Sequence, residues 1–305
     1  MRRALAWARR HERLPLLLMI APGVVYLLVF FAYPLGFNLT MSLENYTAAS
    51  FFTGEAPFVG LANYLAVARD PRASTAVVNT VLFTVGSIVP QFTLGLLLAL
   101  FFQRHFPLRG TLRALLLLPW LIPLLVSGAV FRWMYDEDYG LINQVLLNLH
   151  LVQHPLPWLV DRWFALASVT LTNVWVGIPF NLVILYSGLE GLPQELYEAA
   201  RVDGAGVFAR FRYLTIPLMK PVIAIVLTLG LIYTIRVFDV IFVLTGGGPA
   251  NSTQTLTIWS YSLDFQDLAF GQGAAVNNLL LLVVLVFALL YLRSTRESLR
   301  KEASS

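Results

Sequence analysis

The 305-residue chain contains no cysteine. That absence excludes a disulfide scaffold, a thiolate nucleophile and a cysteine-ligated zinc or iron–sulfur site. Histidine is nearly as scarce: only His11, His105, His150 and His154 occur, none within a long apolar stretch, so no metal site is expected. Charge is sparse as well, at 12% against 58% hydrophobic residues, and mean hydropathy is +0.71. A soluble domain of this length could not bury so much apolar surface, so a bilayer must act as part of the solvent. The net charge of +4 is better explained by orientation in a membrane than by nucleic-acid binding once its positions are read.

What is present is a series of long apolar runs. A hydrocarbon core of roughly 30 Å takes about 20 helical residues to cross. Five runs carry no charge, at 16–37, 76–102, 114–131, 163–189 and 268–292, and a sixth at 221–244 carries only Arg236 and Asp239. The third is the shortest and holds Pro119 and Pro123. Continuous apolarity without strict alternation favours helices over barrel strands. The expected fold class is therefore all-α integral membrane with six transmembrane helices, forming one domain over residues 1–305. Pro22, Pro34, Pro90, Pro119, Pro123 and Pro179 are expected to interrupt the spans and give them room to bend.

Orientation follows from basic residues near span ends. Arg2, Arg3, Arg9, Arg10 and Arg13 precede the first span. Arg104, Arg109 and Arg113 lie in the second connection, and Arg201, Arg210, Arg212 and Lys220 in the fourth. Arg293, Arg296, Arg300 and Lys301 follow the last span. These segments hold 16 of the 21 basic residues, and six spans place all of them on one side. Both termini are thus expected in the cytoplasm. The N-terminal run is too long for a cleaved signal and is read as a retained first span. The external connections, 38–75, 133–162 and 245–267, are too short for separate domains, and the Asn-x-Thr patterns at Asn38 and Asn45 are commonplace.

The cytoplasmic loop at 192–220 is the odd feature in so apolar a chain. Pro193 suits the start of a helix, with Glu195 and Glu198 near its positive end. Strong helix formers run to Arg201, and Asp203-Gly204-Ala205-Gly206 breaks the run. A second short helix from Val207 is expected to end near Pro217. Tyr197, Val202, Phe208 and Phe211 would give this hairpin an apolar face, which either docks a partner or merely covers the connection.

Glu198-Ala199-Ala200, three residues, Gly204, nine residues and Leu214-Thr215-Ile216-Pro217 together resemble the EAA loop of permease subunits in binding-protein-dependent ABC importers. The closing aliphatics are exchanged relative to the usual order. The resemblance implies that Glu198, Ala199, Ala200, Asp203, Gly204 and Pro217 couple the chain to an ATPase subunit, with Glu198 pairing a basic residue there. It implies, as partners, a second permease subunit, two ATP-binding cassette subunits, an extracytoplasmic solute-binding protein and membrane lipid, and no nucleic acid. Its setting would be the bacterial inner membrane. No cofactor would be held by this chain, because ATP–Mg belongs to the ATPase subunits, and no catalytic residue is expected.

Phe58-Val-Gly60-Leu-Ala-Asn63-Tyr64, Leu118-Pro119-Trp120 and the string Phe238-Asp239 through Gly246-Gly-Gly-Pro249 to Leu256 are similar to the sugar and glycerol-phosphate group of that family, in its compact six-span form. Matched by motif, the substrate pathway falls on Trp120, Leu124, Asn173, Val176, Gly177, Phe180, Arg236 and Asp239. The last two, three apart in the fifth span, are expected to share a helix face, either as a salt bridge or as contacts to sugar hydroxyls. A glycerol phosphodiester or polyol importer is the alternative. A secondary transporter or a membrane-embedded enzyme is remote, since only these two charges lie in the spans.

Overall fold

The computed structural model describes residues 18–302, and the basic N-terminal arginines from Arg2 to Arg13 lie outside them, as do the side chains of Arg296, Arg300 and Lys301. Among the described residues there is no β-strand, only one isolated bridge between Glu44 and Phe58. The helices are α1 (Leu18–Ser42), α2 (Ala48–Thr53), α3 (Ala62–Arg69), α4 (Pro71–Phe102), α5 (Arg109–Leu121) and α6 (Leu124–Met134). They continue with α7 (Leu141–Asn148), α8 (Arg162–Glu190), α9 (Gln194–Val202), α10 (Val207–Ile235), α11 (Asp239–Leu244), α12 (Leu256–Phe265) and α13 (Phe270–Glu302). Among the described residues five helices are long and apolar enough to cross a membrane, or six if α5 and α6 count as one broken span.

Two of the expected spans need correction. The third is not one helix: α5 and α6 meet at 95° across Ile122 and Pro123. Ile122 is extended because a residue before proline is driven out of the helical region, and Pro123 then opens α6. The fifth begins earlier and ends earlier than 221–244. α10 runs unbroken from Val207 to Ile235, so the second loop helix does not stop at Pro217 but becomes the span itself. A π-turn at Phe211–Thr215, closed by Ile216 N–H to Phe211 O, widens the helix just before the proline and absorbs its missing donor. The same device precedes Pro34, where Tyr33 N–H reaches Leu28 O. Pro90, Pro179 and Pro221 sit inside continuous helices, so of the prolines only Pro123 marks a true break.

The chain contacts divide into two compact units. The first comprises residues up to Arg69 together with Ser262–Asn278. Its polar centre explains the Asn63-Tyr64 pair. Asn63 Nδ2 donates to the carbonyls of Ser42 (2.9 Å) and Glu44 (2.8 Å), Tyr64 Oη meets Ser42 Oγ at 2.8 Å, and Asn278 Nδ2 reaches Tyr64 Oη at 3.2 Å. These groups tie the end of α1 to α3 and α13. They are scaffold, not solute contacts.

The second unit holds Asp70–Tyr261 and the chain from Leu279. α4 starts on an Asp70 cap whose carboxylate binds the Arg72 N–H at 2.7 Å, and hydrogen bonding to the Arg72 guanidinium holds that carboxyl below its usual range. α4 and α8 run parallel: Gly86 lies against Thr170, Gln91 against Asn173 and Gly95 against Asn181. α10 is antiparallel to α8, with Val222 beside Gly188 and Tyr233 beside Phe180. One apolar cluster gathers Phe102, Leu185, Leu189 and Met219 at one end, and another gathers Phe83, Val169, Val240 and Ile258 at the other. The Gly246–Leu256 string folds onto the top of α4. Asn79 Nδ2 caps the carbonyls of Asn251 (3.0 Å) and Gln254 (3.2 Å), and Thr80 Oγ1 accepts from Leu256 N–H at 2.9 Å.

Asn143 organises the connection after α6. It is fully buried, donates to Glu137 O (3.1 Å) and Leu156 O (3.0 Å), and accepts from Leu156 N–H (3.0 Å) and Trp158 Nε1 (2.9 Å). Replacing Asn143 with Leu strands Leu156 N–H and Trp158 Nε1, each costing about 1–3 kcal/mol when unpaired. A clear fall in the detergent-solubilised protein's melting temperature, with Trp158 fluorescence shifted to the red, is the expected result. An unchanged melting point would refute this role.

Candidate functional site

Of the eight sequence-derived pathway residues, Trp120, Asn173, Gly177, Phe180, Arg236 and Asp239 line one cavity of about 540 Å3 within the second unit. Leu124 and Val176 line it too. Its walls come from α4, α5, α6, α8, α10 and α11 and from both helix breaks, so the two interruptions converge on the same space. Three rings form a continuous aromatic edge, with Trp120 to Phe180 at 5.9 Å and Phe180 to Tyr233 at 6.0 Å between centroids. Trp120 and Tyr233 are mostly exposed, so the edge opens outward rather than closing into a core.

The charged pair departs from expectation. α10 ends at Ile235, the chain is irregular through Phe238, and α11 starts at Asp239. Arg236 and Asp239 are therefore not neighbours on one helix face; they flank a break. Arg236 is exposed, Asp239 is half-buried, and the two form no ion pair. Arg236 caps the C-terminal end of α10, where a cation is favoured by the helix dipole.

Reasoning from motifs missed four polar cavity residues: Gln91, Asn181, Tyr233 and Thr234. The one available signal for Gln91 was an amide in the middle of a largely apolar run, just after Pro90. Gln91 Nε2 donates to Asn173 O at 2.8 Å, and Asn181 Nδ2 donates to Gly177 O at 2.9 Å. Asn173 Nδ2 is buried without any partner.

At the other end of α8 lies the charged loop. α9 follows Pro193 and ends in a glycine cap: Gly204 adopts φ +79°, Ala205 N–H bonds Ala200 O at 2.9 Å, and Gly204 N–H bonds Arg201 O at 3.1 Å. That motif is why glycine stands at 204. Glu198, Ala199, Asp203 and Pro217 are exposed and Ala200 is half-buried. Of the expected apolar face, Val202 and Phe208 are exposed and are joined by Val207, whereas Phe211 and Tyr197 turn partly inward. Tyr197 Oη holds Thr215 Oγ1 at 2.9 Å and so tethers α9 to the foot of α10. A second, polar cavity of about 600 Å3 brings Glu198 and Arg201 together with Gln103, His105 and Arg109. The second and fourth connections therefore share one face, as the charge pattern requires. Nearby, Arg113 stacks on Tyr186 at 4.4 Å, and Tyr186 Oη donates to Glu190.

Comparison with known proteins places this geometry in a lineage. Residues 91–296 match the family described as binding-protein-dependent transport system inner membrane component. The trehalose/maltose transport system permease protein MalF of Thermococcus litoralis is 39% identical over 282 residues, covering 92% of each chain. The lactose transport system permease protein LacF of Rhizobium radiobacter is 31% identical over 284 residues, covering 92% of this chain and 93% of that one. The sulfoquinovosyl glycerol transport system permease protein SmoG of Agrobacterium fabrum is 34% identical over 272 residues, covering 88% and 87%. Among solved structures, a chain of a bacterial ABC transporter importing the acidic polysaccharide alginate superposes with a TM-score of 0.81. It is 20% identical and covers 96% of this chain and 98% of that one. That likeness establishes a shared fold.

Proposed function

We propose a sugar as the cargo, for the chain belongs to the family of binding-protein-dependent transport system inner membrane components, the permeases of ATP-driven ABC importers. It is a multi-pass membrane subunit, and ATP hydrolysis belongs to partner ATPase subunits. The observation that supports a di- or oligosaccharide is the cavity itself. Aromatic edges at Trp120, Phe180 and Tyr233 suit the apolar faces of pyranose rings, and the amides of Gln91 and Asn173 suit hydroxyls. The names of the trehalose/maltose and lactose relatives point the same way.

In this reading the whole chain acts as one transmembrane domain. A second permease completes the pathway across the open cavity face, and an extracytoplasmic binding protein delivers the sugar. Two ATP-binding cassettes dock on α9 through Glu198, Ala199, Ala200, Asp203 and Gly204, with Pro217 fixing the foot of α10. Both termini lie in the cytoplasm. ATP–Mg stays on the cassettes, and this chain holds no cofactor.

A second reading, import of an anionic glycerol phosphodiester or another polyol, rests on Arg236, an exposed cation in the cavity with no ion-pair partner among the described residues. Arg236→Gln separates the two. With a neutral sugar, uptake by the reconstituted importer is expected to fall by less than about threefold, because the amide still serves hydroxyls. For an anion a loss on the order of 100-fold is expected, matching a charged hydrogen bond. Uptake of glycerol 3-phosphate by the wild type, with none of trehalose, would overturn the sugar reading.

A further inference from the structure

We propose that Gln91 is a specificity-determining residue of the cavity, reading a hydroxyl of the passing solute together with Asn173. The inference rests on the sugar reading but concerns a residue that neither the EAA loop nor the motif-matched pathway includes. Gln91 and Asn173 are each only 5% exposed, yet both line the cavity. Gln91 Nε2 donates to the main-chain carbonyl of Asn173 at 2.8 Å. An amide oxygen turned toward that carbonyl would be repelled, so the orientation of the carboxamide is fixed by its partner. Nε2 points to α8, and among the described residues Oε1 accepts no hydrogen bond.

Room for this arrangement comes from the next turn of α8. A Cβ at residue 177 would stand 2.4 Å from both Cδ and Nε2 of Gln91 and 2.8 Å from Oε1. The carboxamide therefore occupies the notch that a missing side chain leaves. On the same wall, Asn173 Nδ2 is a buried donor without a partner. A free acceptor and a free donor on one cavity's lining are satisfied together by a group that both donates and accepts, and a hydroxyl is that group. A solute lacking the hydroxyl leaves the buried Asn173 Nδ2 and the Gln91 Oε1 acceptor unpaired, which is how a site rejects a deoxy analogue. Gly177 thus serves selectivity indirectly, as the residue that lets Gln91 reach its place.

The test uses the complete importer in proteoliposomes, with its binding protein saturated in turn by trehalose, maltose, lactose and monodeoxy analogues of whichever is carried. The wild type is expected to prefer the parent sugar over one monodeoxy analogue by on the order of tenfold in uptake rate. Gln91→Leu should carry both at nearly equal rates, and Gly177→Ala should do the same by ejecting the carboxamide. Gly177→Ala combined with Gln91→Ala restores the space without the hydrogen bond. It should assemble like the wild type and still fail to discriminate, which separates chemistry from packing should either single variant not fold. A tenfold preference kept by Gln91→Leu, or regained by the double variant, overturns the proposal. So does a wild type that carries a sugar but treats every monodeoxy analogue alike, an outcome that leaves the sugar reading standing. A wild type that carries none of the sugars overturns both.

Discussion

Glu198→Arg is expected to abolish ATP-driven uptake and to strip the ATPase subunits from the purified complex, while the permease itself still inserts and folds. Glu198 is exposed on α9 and makes no ion pair among the described residues, so the substitution removes no internal salt bridge there. It shares the lower cavity with Arg109 and Arg201. A new arginine there meets like charge on its own subunit and on any basic residue that a docking partner presents. Breaking a buried interfacial charge pair costs about 2–5 kcal/mol, and reversing it adds repulsion, so a loss of at least ~100-fold is expected. Glu198→Gln should be milder, near tenfold, because the amide keeps a hydrogen bond. Two measurements decide the matter: co-purification with the cassettes and uptake into proteoliposomes. Wild-type values for both in Glu198→Arg would sink the assignment of α9 as the docking helix.

The second large effect is expected at Gly95. A Cβ there would lie 2.5 Å from Asn181 Cβ and 3.2 Å from the backbone at Asn181 C and Leu182 N, none of which is a flexible tip. α4 and α8 must therefore separate at their closest approach. Without a hydrophobic drive between helices in lipid, such small-residue contacts are what holds spans together. Gly95→Ala should cost about 1–3 kcal/mol, the usual price of overpacking, and Gly95→Leu should prevent a stable fold. The damage should spread to function even in the milder variant. Gln91 sits one turn away, and its bond to Asn173 O depends on the same helix separation. Melting temperature and uptake should fall together in Gly95→Ala. A variant with full stability would show that α4 and α8 tolerate a wider gap than their packing suggests.

The two effects illustrate different kinds of legibility. The helix of the charged loop could be read from the chain because its information is local. Pro193, the run of helix formers and the glycine at 204 each act within a few residues, and the structure places a helix from Gln194 to Val202 closed by a left-handed glycine. The tight α4–α8 contact was invisible beforehand. Gly95 and Asn181 are distant in sequence, and nothing in either segment announces the other.

Composition and charge determined, by themselves, that the chain lives in a bilayer, that it does so as helices, and which connections share a face. These are properties of solvent and of single segments, and apolar run length and basic flanks carry them fully. Tertiary structure alone decided where the spans break. Pro217 and Pro123 are the same residue type in similar apolar surroundings, yet a π-turn carries α10 through the first while the chain bends by 95° at the second. It also decided what the charged pair does. Spacing by three suggested a shared helix face, but α10 ends at Ile235 and the two charges flank the gap. Most of all, it brought Gln91 to Asn173 and Gly177. An amide in the middle of an apolar helix has no meaning until a neighbouring helix supplies the carbonyl it binds and the empty space it fills.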